Sequence, residues 1–196
     1  MKYYQELTLI PDAEISLNFL WSKVYPQIHL ALVETKTPEN HSKMGVTFPK
    51  YQNTPERKTL GNKLRIFSPD TNNLQNLNLT KWLHTLDDYV HLTSIKEVPD
   101  NIKTHASFYR IQKRKTNAQK AYNTAQRLGI PYEKALAHLQ GRDEKQPQAP
   151  FIHMKSLSSK HSYRLMIGKK ITNLNDPQSK EFNTYGLSSK ASLPLF

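Results

Sequence analysis

The chain has 196 residues and no cysteine, and it carries 28 Lys+Arg against 16 Asp+Glu for a formal net charge of +12. That composition excludes disulfides, Cys-ligated zinc and a thiol nucleophile. With 37% hydrophobic residues and no apolar run near the roughly 18 residues of a membrane span, it also excludes a transmembrane helix. Met1 to Glu6 has no apolar stretch of the signal-peptide kind, so a reducing cytoplasm is the expected compartment.

The charge is unevenly placed. Residues 1–98 hold 11 Lys+Arg and 10 Asp+Glu, a net of +1, whereas residues 99–196 hold 17 and 6, a net of +11. A field of that shape steers polyanions onto one face, and nucleic acid is the usual polyanion. A basic surface kept for solubility is the alternative.

In chain order, Tyr3 to Ile10 reads as a strand stopped by Pro11-Asp12. Ser16 caps a helix whose apolar residues Leu17, Leu20, Trp21, Val24, Ile28, Ala31 and Leu32 keep helical spacing, and Pro26 is expected to kink it. Met44 to Phe48 and Leu64 to Phe67 are short strands flanking the polar stretch Pro49 to Asn62. Leu74, Leu77, Trp82, Leu83 and Leu86 mark a second helical region, and His91 to Val98 a last strand. The fold class is α+β: strand, helix, strand, strand, helix, strand over residues 1–98 is the βαββαβ ferredoxin-like pattern, shared by RNA-recognition sheets and many unrelated proteins.

Residues 99–196 read as a second, basic α+β domain. Ser107 to Lys115 is a strand running into Lys113-Arg114-Lys115. Asn117 then caps a helix to Leu128, with Ala118, Ala121, Tyr122 and Ala125 as its apolar stripe and Lys120, Asn123, Thr124 and Arg127 opposite. Pro131 opens a short helix, Gly141 to Pro150 is a polar linker, and Phe151 to Met154 and Tyr163 to Ile167 are strands joined by Lys155 to Ser162. No internal repeat is visible.

Chemistry has few candidates. There is no Walker-type loop, His-Glu-x-x-His or Gly-x-Ser-x-Gly, and neither Asp87-Asp88 nor His84 with His91 has metal-ligand spacing, so no metal or other cofactor is expected. A phosphodiesterase without metal can act on RNA alone, because the 2′-hydroxyl attacks its own phosphate once a base takes the proton. Histidine titrates in the right range. His29 falls roughly 110° from the centre of the apolar stripe on its helix, at the core–solvent border. A boundary histidine satisfied by a backbone carbonyl accounts for the same position.

Gln27-Ile28-His29-Leu30-Ala31-Leu32-Val33, Met44-Gly45-Val46-Thr47-Phe48-Pro49, Leu60-Gly61-Asn62-Lys63-Leu64-Arg65-Ile66, Tyr109-Arg110-Ile111-Gln112, Pro150-Phe151-Ile152, Ser162-Tyr163-Arg164-Leu165 and Tyr185-Gly186-Leu187-Ser188 occur in one order across the chain. Together they resemble the repeat-processing endoribonucleases of subtype I-F CRISPR systems, within the CRISPR-associated repeat-RNA ribonuclease superfamily. The resemblance implies a metal-independent enzyme that cuts the repeat hairpin at the 3′ base of its stem and stays with the guide RNA and the other subunits of a surveillance complex. It implies that His29 deprotonates the 2′-hydroxyl, Ser156 holds the reacting ribose and Tyr185 orients the site. Ser158 and Ser159 lie where small hydroxyl residues approach the RNA, Arg110 and Gln112 match the residues that read bases at the foot of the stem, and Tyr163 matches an aromatic that stacks on the terminal base pair. Relatives carry an arginine-rich groove helix, where this chain offers Lys120 and Arg127, with Lys113, Arg114 and Lys115 before it and Lys134 or Arg142 after it. A non-catalytic hairpin-binding subunit of the same fold, or an unrelated basic assembly protein, are the other readings.

Overall fold

The structure is a computed structural model that describes residues 1–112, 114–142, 146–156, 158–172 and 181–196. Strand β1 (Tyr3–Leu9) points Leu7 and Leu9 into the core. Helix α1 (Leu17–Glu34) starts where the Ser16 hydroxyl accepts from the Phe19 amide, and it passes through Pro26 as one element. Leu20, Trp21, Val24, Tyr25, Ile28, Ala31 and Leu32 are its buried face, the spacing expected of an amphipathic helix. Strand β2 (Gly45–Thr47) follows, and the polar stretch after it holds a small ladder of β3 (Gln52–Asn53) and β4 (Lys58–Thr59).

Strand β5 (Lys63–Ser68) leads to α2 (Thr71–Leu77) and α3 (Leu79–Leu83). Asn78 separates these helices: its left-handed backbone (φ 43°) ends the first, and its side chain accepts from Lys81 N to cap the second. A 3-10 turn, His84–Tyr89, precedes β6 (Val90–Leu92) and β7 (Lys96–Glu97). The sheet runs β2-β5-β1-β6, antiparallel throughout, with β7 also on β1. This is the ferredoxin-like order expected from the element pattern.

The remaining elements are β8 (His105–Ile111), α4 (Asn117–Leu128), α5 (Tyr132–Ala137), β9 (Phe151–Lys155), β10 (Ser162–Thr172) and β11 (Leu193–Pro194). Their sheet runs β11-β8-β10-β9. Ranked by sequence within each sheet, both orders are second, third, first, fourth. The two halves therefore share a strand plan with no repeat visible in the residues.

Contacts gather the chain into two units, residues 1–110 with 149–196, and residues 111–148. The charge boundary after residue 98 falls inside the first, because one core draws on both sheets: Leu7, Val24, Ile28 and Ile66 bury with Phe108, Ile152, Leu165 and Ile167. Helix α1 packs against β9 as well as under the first sheet, which brings its His29 edge beside the second half of the chain. In the other unit α4 packs on α5, and the buried residue of each is an alanine, Ala121 and Ala135. Among the described residues no helix is long and apolar enough to cross a membrane.

Candidate active site

His29 stands on α1 next to the fully buried Ile28, and its own ring is half-buried. Its Nδ1 lies 2.8 Å from the carbonyl oxygen of Thr184. A carbonyl only accepts, so Nδ1 bears the proton in the neutral ring and Nε2 keeps the lone pair. The Tyr185 ring stacks on the imidazole with centroids 4.0 Å apart and planes 6° from parallel. Burial pushes the His29 pKa below the ordinary 6.5, opposed by the smaller effect of the Thr184 carbonyl. At neutral pH the group is thus an unprotonated imidazole with one nitrogen fixed and the other able to take a proton. The carbonyl-satisfied boundary histidine and the candidate base are one and the same arrangement.

The partners of His29 come from a tight turn. Gly186 N donates to Asn183 O at 2.8 Å, while Asn183 Oδ1 accepts from the amides of Tyr185 at 2.9 Å and Leu187 at 3.1 Å. Gly186 has φ +70°, and a Cβ there would meet Val46 Cγ1 at 2.7 Å, so only glycine fits. The turn is tied to both sheets by Val46 N to Gly186 O at 2.8 Å and Ser188 N to Phe108 O at 2.9 Å. From α1, the buried Tyr25 hydroxyl donates to the Tyr185 carbonyl at 2.8 Å.

Tyr163 on β10 completes the cluster, its hydroxyl 2.7 Å from that of Tyr185. Burial, then the hydrogen bond and proximity to Tyr185, push the Tyr163 phenol up, so it stays protonated at neutral pH. The Arg110 guanidinium lies 5.6 Å from the Tyr163 ring centre and 5.9 Å from that of Tyr185, within cation–π range. His29, Tyr185, Tyr163 and Arg110, separated by up to 156 positions in sequence, are therefore neighbours in one cluster.

The other candidate residues belong to the β9–β10 hairpin, the end of β8 and α4. Ser156 follows β9 in the hairpin to β10, where its Oγ is 3.2 Å from Ser158 Oγ and accepts from Ser159 N at 3.2 Å. Ser158 and Ser159 are exposed. Gln112 is exposed one residue past the end of β8, so strand alternation no longer ties its direction to that of Arg110. Lys113 lies outside the described residues. Arg114 and Lys115 are exposed, and the Arg114 backbone exchanges two hydrogen bonds with the Gln146 side chain.

On α4 the two faces depart from expectation. Thr116, not Asn117, caps the helix, forming a capping box with Gln119. Asn123 and Arg127 are exposed as expected, but Lys120 and Thr124 are half-buried and Lys120 Nζ donates to Asn117 Oδ1 at 3.2 Å. Tyr122 of the expected apolar stripe is 60% exposed instead. The residue that α4 buries is Ala121, and Tyr122, about 100° further round the helix, faces outward. Residues the sequence reading did not single out are Tyr25, Asn183 and Thr184. Asn-Thr-Tyr-Gly is a turn signal, but it does not reveal which side chain the turn serves.

The profile of the family described as CRISPR-associated protein (Cas_Csy4) matches residues 4–196. The chain belongs to the Csy4 family. Csy4 relatives include the CRISPR-associated endonuclease Cas6/Csy4 of Escherichia coli (strain UTI89 / UPEC), 30% identical over 197 residues with 100% of both chains covered. The CRISPR-associated endonuclease Cas6/Csy4 of Pseudomonas aeruginosa (strain UCBPP-PA14) is 25% identical over 196 residues, again with 100% of both chains covered. A solved structure described as CRISPR associated protein Cas6 aligns with TM-score 0.33 and 13% identity over 100% of this chain and 99% of that one. Family membership bears out the resemblance to CRISPR repeat-processing endoribonucleases.

Proposed function

We propose that this Csy4-family chain cuts CRISPR repeat RNA at the 3′ base of its hairpin without a metal ion, and that His29 is the base. Nε2 of His29 takes the proton of the 2′-hydroxyl, O2′ attacks the adjacent phosphorus, and the bond from phosphorus to O5′ breaks. The upstream fragment then ends in a 2′,3′-cyclic phosphate and the downstream fragment takes a proton to leave with a 5′-hydroxyl. The observation that carries this reading is the Thr184 carbonyl on Nδ1, which leaves Nε2 of the neutral ring unprotonated. Among the described residues no three His, Asp or Glu side chains gather as metal ligands would.

In this reading Ser156 holds the ribose, Tyr185 fixes the imidazole plane, and Ser158 and Ser159 line the RNA. Arg110 reads a guanine edge, Gln112 its neighbour, and Tyr163 stacks on the closing pair. Lys113, Arg114, Lys115, Lys120, Asn123, Thr124 and Arg127 serve the phosphates and stem. The product stays bound, placing the chain at the hairpin end of a type I-F surveillance complex with its other subunits. The deciding experiment replaces the 2′-hydroxyl of the nucleotide 5′ to the cut with hydrogen. Cleavage is expected to stop with binding retained, and the unmodified hairpin is expected to be cut in excess chelator to a cyclic phosphate end. Cutting of the deoxy substrate, or a requirement for magnesium, overturns the mechanism.

A further inference from the structure

We propose that Asn183 is a positioning residue that sets the tautomer of His29. The inference rests on the reading of His29 as the base, because a base acting through Nε2 must carry its proton on Nδ1. A neutral imidazole can bear its proton on either nitrogen, and the hydrogen bond made by one nitrogen decides the state of the other. Here the deciding acceptor is the Thr184 carbonyl, 2.8 Å from Nδ1. The direction of that carbonyl is set by the turn around it.

Asn183 holds that turn with both its side chain and its backbone. Its Oδ1 accepts from the amides of Tyr185 and Leu187, its backbone oxygen accepts from Gly186, and its own amide donates to Leu187 O at 3.0 Å. The peptide that presents the Thr184 oxygen to His29 is the same peptide whose N–H, on Tyr185, is bound to Asn183 Oδ1. A peptide unit is planar, so gripping the N–H aims the C=O on its opposite side. The same bond fixes the backbone from which the Tyr185 ring stacks on the imidazole. Tyr25, donating to the next carbonyl, braces the turn from α1. Asn183 thus acts on His29 through one peptide plane and one ring.

The test uses the full chain with ring-15N-labelled histidine. The His29 tautomer is read by NMR in the absence of RNA, and single-turnover cleavage and hairpin affinity are measured beside it. Wild type is expected to show the Nδ1–H form. Asn183→Ala, which removes both Oδ1 bonds, is expected to show mixed tautomers and cleavage slowed about ten- to hundredfold, the scale of a slight misplacement of a reacting group, with affinity within a few-fold. Asn183→Asp keeps an oxygen acceptor at the same place and is expected to restore both readouts. An Ala variant that retains Nδ1–H, or an Asp variant as impaired as Ala, overturns the proposal. Should Asn183→Ala fail to fold, Asn183→Ser, with a shorter side chain and an intermediate tautomer mixture expected, carries the same test, and an unmixed Nδ1–H form in it overturns the proposal. Because the tautomer is read without RNA, a wild-type protein that shows Nδ1–H but cuts nothing refutes the proposed reaction and leaves the positioning role standing.

Discussion

His29 is held by two influences of opposite sign on its charge. Burial favours the neutral ring, the Thr184 carbonyl favours the protonated one, and burial prevails. The acid limb of kcat/KM, which reports the free enzyme, is therefore expected at an apparent pKa below 6.5. A profile with its acid limb above that value counts against His29 as the base. The same shift acts on stability: between the folded value and 6.5 the unfolded chain binds this proton and the folded chain does not. This contribution is thus lost as pH falls through that window, and a urea midpoint followed against pH in His29→Ala is expected to be flatter there than in wild type. In the same variant cleavage is expected to fall by about 10² to 10⁴, with hairpin affinity within a few-fold. Equal losses of binding and cleavage make His29 a structural residue.

At the scale of elements, the turn at Asn183 to Leu187 depends on Gly186. Gly186→Ala imposes both a left-handed backbone on a residue with a Cβ and a contact at 2.7 Å with Val46, and it is expected to cost roughly 1–3 kcal/mol or more by urea denaturation. Gly129 provides the control, since its φ is +62° but a Cβ there meets nothing within 4 Å. Gly129→Ala is expected to cost the smaller, purely conformational part, and similar losses at both positions argue against crowding by Val46. These elements also show what could be read from sequence. Helix α1 was legible because seven apolar residues at helical spacing follow a serine cap, and the βαββαβ order was legible because each period changes at a turn signal. The expected strand from His91 to Val98 is interrupted, with β6 and β7 separated by residues 93–95. The turn's service to His29 was not legible, because Thr184 is 155 positions from the ring it binds and local rules carry no such pairing. Tyr122 departs from expectation because periodicity marks a broad apolar arc, while the helix buries only Ala121 within it.

Over the whole molecule, the charge and the candidate chemistry are apportioned differently. The histidine–tyrosine cluster belongs to residues 1–110 with 149–196, while residues 111–148 hold eight Lys+Arg against three Asp+Glu, a net of +5. RNA affinity is therefore expected to weaken steeply with salt, and Lys115→Ala to lower the log–log slope by up to about one unit with the cleavage rate at saturation unchanged. An affinity insensitive to salt refutes the phosphate-binding role of the basic residues. The placement of the Asn183 turn bears on how the protein is made. Residues 181–196 pair with Ser42, Val46, Thr104 and Phe108, all synthesised much earlier. A ribosome adding about 5–20 residues per second from the N-terminus completes α1 long before it reaches the turn. Until then the nascent chain has its histidine but neither the carbonyl that assigns its proton nor the ring that holds its plane. On the proposed reading of His29, a nascent chain cannot cut RNA before residues 183–187 have been made and have folded back onto Val46 and Phe108.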